Sequence, residues 1–332
     1  MSVTGRLDAF QRRHPGAGFP IAVLYKYIDD GGGNLAALIA YFGFVSLFPL
    51  LLLGSTVLGI VLRDDPAAQQ AVLDSALRQF PVIGEQLQQP GQIGGGLTGL
   101  LVGGLGALYG GLRVALAVQH AMNTAWTVPK NSRPDPLKAR GRGVLLLVTV
   151  GLALVGTSVL SAVGGGGAGT AGSGLRAAVL VLSVAVNAVA FLVTFRLATA
   201  RRLTVRQVAP GAVAAAVLWQ LLQTFGAAYV GRVVQGSNDT NGVFALVLGL
   251  LAFLYLAAVA LVLCVEANVV RVDRLWPRAL LTPLTDAVDL TAGDEKAYTG
   301  QAKAQRSKGF ERIDVRFDDR APVGREDEEG RR

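Results

Sequence analysis

The sequence is poor in the side chains that most soluble catalysis relies on. Its 332 residues hold one cysteine, Cys264, and two histidines, His14 and His120. A single cysteine excludes an internal disulfide framework and any multi-cysteine metal site. The two histidines are far apart, and no carboxylate cluster sits in an apolar block, so a hydrolytic metal site lacks its ligands. No G-x-S-x-G nucleophile elbow occurs either. Gly94, Gly96 and Gly99 formally match a dinucleotide fingerprint, but no strand precedes them. The expectation is of no catalytic residue, no metal and no cofactor.

Charge is scarce as well. Only 16% of residues are charged, against 52% hydrophobic, where a soluble domain carries roughly 25% charged residues. The apolar excess lies in separate blocks of about 20 residues, the length a helix needs to cross a hydrocarbon core about 30 Å thick. The reading is an all-α polytopic membrane protein with six spans, at 35–62, 95–118, 143–163, 175–197, 208–230 and 243–270. Asn34 suits a helix cap before the first span. Pro49 lies inside that span and predicts a kink, with Ser46 placed to serve the freed carbonyl. Pro210 suits the first turn of the fifth span. Residues 19–28 are apolar but too short to cross, so they predict an interfacial helix. Residues 64–92 predict a second, amphipathic one. Gly99, Gly103, Gly106 and Gly110 form small-residue ridges for close helix packing.

The net charge of +8 is membrane orientation rather than a nucleic-acid footprint. Sixteen lysines and arginines fall in the N-terminal segment, the loops after the second and fourth spans and the exit from the sixth as far as Arg278, against Arg63, Arg78, Arg176 and Arg232 in the intervening loops. Positive connectors stay in the cytoplasm, which puts both termini there. No cleavable signal is evident, so the first span reads as an uncleaved anchor. Three regions follow: a cytoplasmic segment at 1–34, a six-helix domain at 35–272 and a cytoplasmic tail at 273–332. From about Pro283 the tail is charged, mixed in sign and short of apolar surface, which predicts disorder.

Several phrases stand in register along the chain: AYFGFVSLFPLLL, HAMNTAW, PGAVAAAVLWQLLQTFGAAYV and FLYLAAVALVLCVEANVV. With Ser46 to Pro49, Pro210, Gly211, Trp219, Tyr229, Tyr255 and Glu266, they resemble the YihY/BrkB family of inner-membrane proteins, over about 25–272. Phe253 and the Cys264–Val265 pair depart from that pattern at apolar positions. The resemblance implies six helices and a bacterial plasma membrane, and says little about activity.

Polar groups within spans are the candidate site, because each is expensive there. Glu266 is the acidic residue inside a span. Arg113, His120 and Asn123 fall on one face of the second span. The expectation is that Arg113 pairs with Glu266, with His120 and Asn123 extending a cytoplasm-facing polar cavity. Gln220, Gln223 and Asn187 are further pathway candidates. The opposing reading is that Arg113 and Glu266 snorkel to the headgroups and that the amides are interhelical glue. Two functions compete: transporter-like movement of a lipid, another amphiphile or an ion, and an envelope scaffold without transport. The expected partners are membrane lipids rather than nucleic acid, with a homo-oligomer or an envelope protein left open.

Overall fold

The computed structural model describes residues 3–61, 96–165, 173–236, 239–280, 282 and 288–317. The expected helix in 64–92, Gly94, most of the glycine-rich linker and the acidic end of the tail lie outside these residues. Among the described residues every regular element is helical. Two short helices lead, α1 (Val3–Arg13) and α2 (Pro15–Asp29). Six long ones follow: α3 (Gly32–Val61), α4 (Gly96–Ala125), α5 (Pro136–Gly165), α6 (Ser173–Ala198), α7 (Val205–Gly236) and α8 (Asp239–Asp273). A terminal helix, α9 (Ala292–Ala304), closes the order.

Over the described residues five helices are long and apolar enough to cross a membrane: Leu101–Ala125, Pro136–Leu160, Ala177–Ala198, Val205–Gly226 and Val247–Asp273. In α3 the apolar stretch described is Gly32–Leu47. The surface explains how such a chain is solvated. Leu105 (68% exposed), Leu152 (68%) and Val181 (68%) point outward, an arrangement suited to lipid rather than water. Inside, the packing is fine-grained, with Ala36, Ala115, Ala121, Ala212, Ala215 and Ala258 all buried. Small side chains let the backbones approach closely, which is how helices associate where lipid removes the hydrophobic drive.

The tightest seam is α3 against α4. A Cβ on Gly110 would stand 2.6 Å from Ser46 Cβ, and one on Gly106 would stand 2.8 Å from Pro49 Cβ. The ridge expected at these glycines therefore packs on the serine–proline face of α3. Gly110→Ala is expected to destabilise the protein by about 1–3 kcal/mol through overpacking, read as a lower melting temperature in detergent. Gly151→Ala is the control, because nothing lies within 4 Å of its added methyl. Equal melting of the two variants would contradict the seam.

Two expectations about prolines need correction. Ser46 Oγ donates to the Gly43 carbonyl at 2.8 Å, on its own turn, and not to the Val45 carbonyl that Pro49 frees. Pro210 does not open α7, which begins five residues earlier and carries the proline inside. Pro210 has no N–H for the Arg206 carbonyl, and the Gly211 N–H donates to Asn268 Oδ1 at 2.9 Å. The Arg206 carbonyl, left without a donor by the proline, and the neighbouring Gln207 carbonyl both accept from Arg271 Nη2, at 2.9 and 2.8 Å. Asn268 completes the join by donating to the Val208 carbonyl at 3.0 Å. A Cβ on Gly211 would overlap the Asn268 amide. The broken ladder of α7 is thus the docking point for α8.

Candidate functional site

One face of the molecule gathers the N-terminal helices, the connectors 126–135 and 199–204, and the segment after α8. Arg201 binds Asp273 with two bonds of 3.1 Å and lies 5.2 Å over the Trp126 ring. The Asn131 N–H donates to the Arg306 carbonyl at 3.1 Å. Asn123 is buried and joins α4 to the α6–α7 turn: its amide donates to the Gln119 carbonyl at 2.7 Å, and its Oδ1 accepts from Ala200 N–H at 2.8 Å.

Beneath this face lies a layer of buried charge. Lys26 of α2 has no exposed surface; its ammonium meets Asp30, the Ala125 carbonyl at 3.1 Å and Glu266 Oε2 at 3.5 Å. Glu266 is also fully buried, and neither of its oxygens has a hydrogen bond among the described residues. One ammonium therefore serves two carboxylates. Asp30 also accepts from Gln301 of α9 at 2.9 Å. Burial would lower the Lys26 ammonium, but Glu266 and Asp30 outweigh it and hold the group above its ordinary 10.5. Its contribution to folding is thus complete below about pH 10.5 and lost only as pH rises past the higher folded value.

A second cluster adjoins it. Arg278, fully buried, binds Asp294 through Nε and Asp29 Oδ2 through Nη2 at 2.9 Å. Its guanidinium lies 5.2 Å over the Tyr298 ring. The Asp294 carboxylate also accepts from Ala279 N–H (2.9 Å), Thr291 N–H (2.9 Å) and Thr291 Oγ1 (2.7 Å). Thr291 and Asp294 form a capping box that starts α9. Burial raises the Asp29 carboxyl, and Arg278 opposes it. Asp8 of α1 behaves in the opposite way. Burial would raise it, but Leu280 N–H, Gln11 and Arg12 outweigh that and hold it below its ordinary 3.8. Its contribution is present above about pH 3.8 and is lost as pH falls through the folded value. Asp8→Asn is expected to flatten the acid limb of melting temperature against pH; an unchanged limb would show that these bonds add nothing.

The helix expected as a disordered stretch of tail, at 292–304, is therefore ordered. Its anchorage comes from Asp294, Gln301 and buried Ala297 rather than from a broad apolar face, and a compositional average misses such an anchor. The expected Arg113–Glu266 pair does not form. Arg113 is exposed, donates to Tyr109 Oη at 3.0 Å and lies 5.8 Å over the Phe42 ring. His120 is exposed beside Arg133, at 3.2 Å. Arg113, His120, Asn123 and Glu266 thus go to four different environments and do not line one hydrated cavity.

Among the described residues the long helices line a partly open, apolar cavity. Of about 300 Å³, it is lined from all six long helices, by Gly43, Val114, Ala153, Phe191, Trp219 and Ala258 among others. Asn187 lines it too, while Gln220 and Gln223 do not; on α7 the wall is Trp219 and Leu222. Leu261 marks its near end on α8, five residues or about 7.5 Å along the helix from Glu266. The buried charge and the helix α2 therefore close the end of the bundle that bears the termini.

Long apolar helices around an internal cavity, with polar connectors gathered at one end, define a multi-pass integral membrane protein. The chain belongs to the family described as Virulence factor BrkB, whose model matches residues 23–283. That stretch contains Lys26, Glu266 and Arg278 but stops short of α9. No curated protein and no solved structure matches the chain.

Proposed function

We propose that the protein is a transporter-like protein of the bacterial plasma membrane, with both termini cytoplasmic, that moves a lipid or another amphiphile. The observation that carries this reading is the apolar cavity shared by six long helices and closed at one end by Lys26, Asp30 and Glu266. A cavity of this lining suits an apolar chain. The charged end then acts as a gate that must separate before cargo passes. The orientation rests on the sixteen-to-four division of basic residues between alternate connectors. Proteoliposomes carrying fluorescent phospholipids test the proposal. Protein-containing vesicles are expected to expose inner-leaflet probe to an external quencher; quenching no faster than in empty vesicles, across neutral and anionic probes, would overturn it.

A scaffold role is favoured by one feature. Phe310 is 88% exposed, among Arg306, Lys308 and Arg312, a combination suited to a partner. The truncation that separates the two readings must start after α9 ends at Ala304 and no later than Phe310, because removing α9 would strip Asp294 from Arg278. A transport core is expected to keep its flux in Phe310→Ser, whereas a scaffold acting through that contact would lose its cellular function.

A further inference from the structure

The amide of Asn187 has no hydrogen bond among the described residues, although it lines a cavity that is otherwise almost wholly apolar. It stands eleven residues before the end of α6 at Ala198, about 16 Å along the helix, close to the middle of a hydrocarbon core about 30 Å thick. At that depth water offers no partner, and an unsatisfied amide is costly. The walls carry no ionisable side chain, so a charged headgroup would have no counter-charge there. The cavity lies in the lower part of the size range of small-ligand sites.

We propose that this cavity binds a neutral single-chain amphiphile, with its chain against the alanine- and leucine-rich walls and an ester carbonyl or hydroxyl on the Asn187 amide. The proposal names the substrate class for the translocation reading and rests on it in that respect; as a binding site it stands alone. Lipid tails are as apolar as the cavity walls, so transfer from bilayer to cavity brings no hydrophobic gain. Shape and the Asn187 hydrogen bond remain to distinguish the ligand from surrounding lipid. Ala153, Ala257 and Ala258 keep the walls thin enough for a chain to lie against the helices. Val150, 46% exposed, also lines the cavity, which puts the α5 side at its rim.

The test uses the full-length protein in nanodiscs and a photoreactive monoacylglycerol with a diazirine at mid-chain. Labelling is expected to saturate and to map to residues 39–43, 150–154, 187–194 and 254–261. Unlabelled monoacylglycerol is expected to compete about tenfold better than hexadecane or palmitate, the ratio that one net hydrogen bond supplies. Asn187→Leu is expected to abolish that preference while leaving the fold intact. Ala153→Phe fills the cavity and is expected to cut labelling, whereas Leu152→Phe on the lipid face leaves it unchanged. Equal labelling of the two phenylalanine variants would overturn the site. So would hexadecane or palmitate competing as well as the monoacylglycerol. Labelling intact without lipid flux would overturn translocation and leave the site; flux intact without labelling would overturn the site alone.

Discussion

Arg278→Met is expected to destabilise the protein by about 3–5 kcal/mol, because it leaves two buried carboxylates without their cation. Asp294 would keep its bonds to Thr291 and Ala279 N–H, while Asp29, already raised by burial, would lose the group that opposes that rise. The loss should also loosen α9. Limited proteolysis is therefore expected to cut the variant between residues 288 and 317 at protease levels that leave the natural protein intact. Asp294→Asn should act in the same direction but less strongly, since the amide oxygen can still accept. A variant as stable and as protease-resistant as the natural protein would mean that the cluster contributes no net stability.

The second large effect is an asymmetry at the Lys26 site. Lys26→Met strands Asp30 and Glu266 in a buried space, and a loss of about 3–5 kcal/mol is expected. Glu266→Gln removes one of two carboxylates competing for one ammonium, and its neutral amide is easier to bury. The Glu266 oxygens make no hydrogen bond among the described residues, so this change is expected to be nearly neutral or stabilising. The double variant Lys26→Met/Glu266→Gln should recover part of the loss, with Asp30 still held by Gln301 at 2.9 Å. Melting of the three variants in one detergent reads the comparison. Glu266→Gln falling as far as Lys26→Met would show that Glu266 is an essential partner rather than a surplus charge.

The helices were legible because their signal is long and local. Six apolar blocks in the sequence correspond to α3 to α8, and five of the helices meet the length and composition of a span over the described residues. The boundaries were less legible. α4 runs on to Ala125 and α5 begins at Pro136, because polar residues such as Gln119 and Asn123 continue a helix when neighbouring backbone satisfies them. The acid in the last span was visible as Glu266, but its partner was not. Lys26 counted only as an orienting charge on a helix read as lying at the surface. Its i,i+4 spacing to Asp30 was the available signal. In the same way Thr291 and Asp294 carried a capping-box spacing inside a stretch whose composition suggested disorder. The expected pairing of Arg113 with Glu266 rested on depth alone. Depth fixes the level of a side chain along a helix and not the direction in which it points. The tie between Pro210 and Arg271 needed three dimensions, since nothing local links a proline in one span to an arginine 61 positions later.

Cys264 offers the most direct measurement of whether Lys26 seals the bundle. It is the single cysteine of the chain, it is buried, and it lies two residues before Glu266. A membrane-impermeant thiol reagent applied from the terminus-bearing face is expected to modify it very slowly in the natural protein, and about a hundredfold faster in Lys26→Met as the opening free energy falls. Rapid modification of the natural protein, or the same slow rate in both, would contradict a seal held by Lys26.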